Sequence, residues 1–157
     1  MDILHKMISI ASEKYEGTRD KMGMPFILHP LWVMVMMSKA YPDIDLLCIA
    51  VGQNLLDKTN TTKEEIVSFG FNQRVVDGIV ALTKNDNETY KDYKQKILNN
   101  KDAMRVKFYD LTHNMDMRRI KNPNEQDFLD FKKNKIFREE IRIELADERL
   151  ILSPQLV

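Results

Sequence analysis

Leu31-Trp-Val-Met-Val-Met-Met37, introduced by His29-Pro30, is an unbroken apolar run with a proline where the first turn of a helix accepts one. Five glycines in the whole chain leave little room for the tight turns of hairpins, and three- and four-residue apolar spacing recurs on both sides of this run. The expectation is an all-α protein with the helix after His29-Pro30 apolar on every side and therefore central in the core.

N-terminal to that run, Ile3, Leu4, Met7, Ile8, Ala11 and Tyr15 predict a first helix over 2–16, stopped by Gly17. A loop over 18–28 follows. Asp43 is placed to cap a third helix reaching Leu56, strongly apolar until Gly52, Gln53 and Asn54 interrupt it. Thr62 and Glu65 have capping-box spacing ahead of a short helix ending at Gly70, and Asn72 caps a fifth with Val75, Val76, Ile79, Val80 and Leu82 inward. A polar segment over 84–89, read as a solvated face or a flap, leads to a helix around Tyr90, Tyr93 and Ile97. Helices over 101–120 and 124–150 complete a bundle of about seven or eight, with a frayed tail at Ser153-Pro154. On the last helix, Phe128, Phe131, Ile136 and Phe137 either pack inward or form a face for a homo-oligomer. Met22, Met24, Met34, Met36 and Met37 read as pliable core.

At 157 residues the chain is sized for a single domain with a buried core, 1–157. Twenty-four basic against twenty-four acidic residues create no field that would draw it onto nucleic acid or an anionic membrane. The longest apolar stretch is far short of the roughly 20 residues that span a bilayer. A start bearing Asp2, His5 and Lys6 lacks a secretion signal, and a lone Cys48 forms no internal disulfide. A cytoplasmic protein is expected.

Three places put polar groups where the helical pattern expects burial. His29 precedes the apolar helix. Gln53 and Asn54 lie four and three residues before Asp57, so all three can project from one side, with Lys58 and Thr59 next. Asp110 and Asn114, four apart, sit among Met104, Val106, Phe108 and Met115. A buried aspartate costs several kcal/mol unless compensated, so Asp110 needs a partner, with Arg105 or a ligand the candidates.

Thr-Arg-Asp-Lys-Met-Gly-Met-Pro-Phe-Ile-Leu-His-Pro (18–30), the 53–59 segment followed by Thr62-Lys-Glu-Glu-Ile-Val-Ser-Phe-Gly70, and Val-Lys-Phe-Tyr-Asp-Leu-Thr-His-Asn-Met (106–115) occur in order and at fitting spacing. Together they resemble the HD-domain hydrolases of the RelA/SpoT type, including the stand-alone small alarmone hydrolases similar to the metazoan SpoT homologue, over about 11–120, with 124–150 as a closing helix. The resemblance implies an all-α HD bundle that removes the 3′-pyrophosphate of guanosine tetra- or pentaphosphate. It implies one manganese ion, held by two histidines and two aspartates, that acidifies a water for attack on phosphorus.

Carried over residue by residue, His29 falls on the first metal position and Asp110 on the last. The His-Asp pair between them falls on Gln53 and Asn54, neutral amides that are poor donors for a transition metal. The acidic pair one turn later, catalytic in the family, falls on Asp57 and Lys58, so one charge is reversed and the pocket holds Asp57 and Asp110 against Lys58. Arg19 and Lys21 match the basic loop that faces the nucleotide, and Asn114 matches the asparagine one turn after the last metal position. His113 belongs to the motif without being a ligand.

Three readings follow. The pocket binds a phosphorylated guanosine nucleotide or related small molecule without metal, with Lys58, Arg19 and Lys21 replacing part of the dication's charge. It is a working phosphohydrolase on a reduced set, His29, Asp110 and Asp57. Or the fold is a non-catalytic interaction module in which Gln53, Asn54 and Asp110 satisfy one another.

Overall fold

The computed structural model describes residues 2–146 and is all-α, with one isolated antiparallel bridge between Arg19 and Pro25 and no strand among the described residues. The helices are α1 (Ile3–Lys14), α2 (Leu28–Ser38), α3 (Ile44–Gly52), α4 (Leu55–Lys58), α5 (Lys63–Ser68), α6 (Gln73–Leu82), α7 (Tyr90–Leu98), α8 (Lys101–Asn114) and α9 (Glu125–Glu144). α4 is a single turn, which leaves eight longer helices. Local chemistry sets most starts: Asp2, Asp43, Thr62, Asn72, Thr89, Asn100 and Asn124 each accept a backbone N–H of the turn they precede.

The central helix is α3, not α2. Leu46 through Gly52 are all buried, and α1, α2, α6 and α8 pack around them. On α2 only His29, Pro30, Val33 and Met37 are buried, while Leu28 and Val35 are about half exposed. A run apolar on every side marks burial when neighbours exist to cover it, and α2 lies at the periphery with its outer face uncovered. Two glycines permit the close contacts of α3: a Cβ on Gly78 of α6 would lie 2.5–3.0 Å from three side-chain carbons of Ile49, and one on Gly52 would lie 2.7 Å from Ile79 Cδ1.

Other expectations shift at their ends. The helix expected to reach Leu56 breaks at Gln53 and Asn54, where Asn54 (φ −110°, ψ 10°) leaves helical geometry and α4 starts afresh. The helix expected over 101–120 stops at Asn114, followed by a 3₁₀ turn over Met117–Arg119. The last helix ends at Glu144, with Leu145 as its C-cap, short of the expected Leu150, and 147–150 of that span and the Ser153-Pro154 tail lie outside the described residues. Phe137 is buried against the bundle, whereas Phe128 and Ile136 are exposed. Met22 and Met24 sit exposed in the 18–28 loop, so the methionine cluster read as core is split between surface and interior. Cys48 is buried as a free thiol, its pKa pushed up to about 12 by burial and the charges of Asp45 and Asp2, which keeps it unreactive.

Candidate functional site

The start of α2, the break between α3 and α4, and the middle of α8 converge on one side of the bundle. With the 18–28 loop and the first half of α9 they enclose a cavity of about 400 Å³. Arg19, Lys21, His29, Gln53, Asn54, Asp57, Lys58, Asp110 and Asn114 all line it. Residues spread over 96 positions of sequence are thus brought to one chamber, as the ordered motifs required.

Asp110 anchors the floor and is almost fully buried. Its Oδ1 accepts from His29 Nε2 at 2.9 Å and from Asn114 Nδ2 at 3.2 Å, and its Oδ2 accepts from Lys107 Nζ at 2.7 Å. Lys107, one turn earlier on the same helix, is therefore the partner the buried carboxylate needed. Arg105, one of the expected candidates, instead donates to Asp102 on the outer side of α8. Burial alone would push the Asp110 carboxyl up, but the Lys107 ammonium and the His29 hydrogen bond outweigh it and hold the group well below the usual carboxylate range. Lys107 is in turn held above the usual lysine range, where the Asp110 and Tyr93 contacts exceed the cost of burial.

His29 is gripped from behind as well. Its Nδ1 lies 2.7 Å from His113 Nδ1, the two rings lie edge to edge with nearly parallel planes and centres 4.9 Å apart, and Trp32 stacks on His113 at 4.2 Å. Two facing ring nitrogens share one proton, so the pair is not doubly charged. Burial first, then the Arg119 charge and His29 itself, push the His113 pKa down to about 3, and that ring is neutral at pH 7. No spacing rule announces a contact across 84 residues, so His113 was legible only as part of a motif.

Gln53 is almost completely buried at the break, and its Nε2, like Asn54 Oδ1, has no hydrogen-bond partner among the described residues. The Asn54 side chain is hydrogen-bonded to Asp57, as their shared helical side led one to expect. Burial raises the Asp57 carboxyl, with Lys58 and Asn54 offsetting part of the rise. Lys58 makes no ion pair among the described residues, and its ammonium stands 5.8 Å from the Phe26 ring centre. Of the two loop cations, the Arg19 side chain reaches only the Gly23 carbonyl, at 3.5 Å, among the described residues, while Lys21 Nζ is 2.5 Å from Asp127 Oδ1 on α9. Lys21 therefore ties the loop to α9 across the cavity mouth. The expected charge count, Asp57 and Asp110 against Lys58, is too small, because Asp20, Asp116, Asp127, Asp130, Lys107 and Arg119 also line the chamber. Those residues come from a loop, a turn and two helices whose approach no local pattern encodes.

The chain is 28% identical over 152 residues, 94% of its length, to a guanosine-3′,5′-bis(diphosphate) 3′-pyrophosphohydrolase of Aquifex aeolicus (strain VF5). It is 30% identical over 81 residues to the protein of that name in Borreliella burgdorferi. It spans only 20% and 12% of the length of these two relatives. A solved structure described as a metazoan ortholog of SpoT that hydrolyzes ppGpp superposes with a TM-score of 0.77 at 16% identity, covering 97% of this chain and 91% of that one. The fold is that of the SpoT-like HD hydrolases. No family model matches the chain.

Within this SpoT-like HD fold, the donor chemistry decides whether manganese suits the chamber. Manganese takes carboxylate, carbonyl and water oxygens, so the test is how much negative charge the donors bring to balance a dication. Here the four positions supply one imidazole, two neutral amides and one carboxylate, and that carboxylate already neutralises the Lys107 ammonium while accepting from the imidazole. Among the described residues no group of three or more His, Cys, Asp or Glu is arranged to hold a metal ion. This donor set does not fit manganese.

Proposed function

We propose that this SpoT-like chain binds a phosphorylated guanosine nucleotide, or a closely related phosphorylated small molecule, in the α2–α4–α8 chamber without a divalent metal. The observation that carries the reading is the buried Gln53 amide, whose N–H groups lack a partner at the position where the family places a metal-binding histidine. An unpartnered buried donor is expensive, and an acceptor oxygen of the ligand would satisfy it. Lys58 and Arg19, neither ion-paired among the described residues, supply the charge that a di- or pyrophosphate requires. The likeness to two bacterial pyrophosphohydrolases supports guanosine bisphosphates as the first compounds to try.

In this arrangement Asn114 and Gln53 orient the ligand, Lys58 and Arg19 bind its phosphates, and Lys21 holds the loop over them through Asp127. Hydrolysis is not part of the proposed activity: Gln53 and Asn54 bring neutral amides to two of the family's metal positions, Asp110 is committed to Lys107, and Lys58 stands where the second of a carboxylate pair would be.

Isothermal titration with guanosine tetraphosphate in the presence of a chelator tests the reading. Saturable binding is expected, with an affinity unchanged by added manganese and weakened about tenfold, roughly 1.4 kcal/mol, in Lys58→Ala. Absence of binding by any guanosine phosphate refutes it. Phosphate release that depends on manganese would establish the working hydrolase on His29, Asp57 and Asp110 instead.

A further inference from the structure

The cavity uses one side of α9, and the opposite side is apolar. Leu129, Ile136 and Ile143 recur at seven-residue intervals and are 50%, 62% and 59% exposed, with no described element covering them. At about 100° per residue these three fall on one line along the helix, nearly opposite the buried Phe137, Ile141 and Leu145. Apolar residues spaced at seven on an exposed helix supply one of the two stripes by which helices pair, and the positions between them are Lys132, Lys133, Glu139 and Glu140.

The charges beside the stripe indicate the partner. Lys132 and Lys133 flank it on the N-terminal side of Ile136, and Glu139 and Glu140 flank it at matching distances on the C-terminal side. A second α9 running antiparallel, related by a two-fold axis at Ile136, sets Leu129 against Ile143 of the other copy. The same rotation sets Lys132 against Glu139 on one flank, while on the other flank Lys133 lies over the Tyr90 ring and Glu140 pairs with Lys94, both of α7. A parallel pairing would set Lys against Lys and Glu against Glu. The stripe is thus complementary to itself in one direction only, as an interface between identical subunits must be.

We propose that this face of α9 is an antiparallel homodimer interface. The occupant is a second copy of this chain. Two helices of 20 residues bury an area near the low end of the roughly 1,200–2,000 Å² of stable interfaces, so association in the micromolar range is expected. The proposal is independent of the nucleotide reading, because the stripe lies on the far side of α9 from the cavity-lining Asp127, Asp130 and Asn134.

Sedimentation analysis from about 1 to 200 µM tests it, with a rise from monomer to dimer mass expected. Ile136→Glu, at an exposed position that leaves the fold intact by circular dichroism, should weaken the dimer at least tenfold. Lys132→Glu and Glu139→Lys should each weaken it too, and an equimolar mixture of these two variants should recover it as a heterodimer. Mixed Leu129→Cys and Ile143→Cys proteins should cross-link to each other in preference to themselves. A monomer throughout the concentration range, a dimer indifferent to Ile136→Glu, or preferential Leu129→Cys self-cross-linking would each overturn the proposal.

Discussion

Replacing Lys107 with methionine keeps most of the aliphatic stem and deletes the ammonium 2.7 Å from Asp110 Oδ2. The lysine and aspartate side chains are 15% and 5% exposed, so solvent does little to screen either charge. Asp110 would retain Asn114 and His29 as hydrogen-bond donors but lose its strongest counter-charge. Removing one partner of a buried pair typically costs about 3–5 kcal/mol, because the other is left charged and uncompensated. The cost depends on pH. Without Lys107 the burial of Asp110 dominates, its folded pKa rises above the unfolded value near 3.9, and protonation relieves the penalty as the pH falls. Urea unfolding followed by circular dichroism should therefore give a loss of about 3–5 kcal/mol at pH 8 that shrinks on acidification toward pH 5. Lys107→Met/Asp110→Asn removes the stranded charge and should recover more than half of the loss. A destabilisation below about 1 kcal/mol at pH 8, or a double variant no more stable than the single one, would refute the pairing on which the chamber floor is built.

His113 loses stability on acidification in the same sense as a paired carboxylate, but in a higher pH window: its folded pKa of about 3 lies below the unfolded value near 6.5, so the stability it contributes is complete above pH 6.5 and is lost as the pH falls toward 3. The slope should approach 1.4 kcal/mol per pH unit just below that range and flatten in His113→Phe, as measured by unfolding at pH 7, 6 and 5. Gly78→Ala should cost about 1–3 kcal/mol because the new methyl meets three carbons of Ile49. Gly52→Ala should cost less, since it meets only the tips of the Ile79 and Met7 side chains, and melting curves of the two variants decide the order. Lys21→Ala releases the 18–28 loop from α9, so amide hydrogen exchange should quicken over 19–25 while the melting temperature hardly moves.

Helix starts were readable because they are local: Asp43, Thr62, Asn72 and Asn124 each cap within three residues of the group they satisfy. The Asp110–Asn114 bond is likewise a one-turn relation, and Lys107 could have been found by the same rule at three residues' distance. The burial of α3 in preference to α2 was not readable. Both runs are apolar, and only the packing of α1, α6 and α8 chooses which of them is surrounded.

By itself the sequence determined an all-α chain, an ordered set of SpoT-like HD motifs, and the presence of Gln53, Asn54 and Lys58 where that pattern calls for a histidine and acids. These follow from residue identity and from spacings of three, four and seven. The tertiary structure alone decided that Lys107, and not Arg105, neutralises Asp110, that His113 backs His29, and that Lys21 is spent on Asp127 at the cavity mouth. Such pairings depend on how helices distant in sequence come together, and Coulomb and hydrogen-bond energies fall off over a few ångströms that only the folded chain specifies.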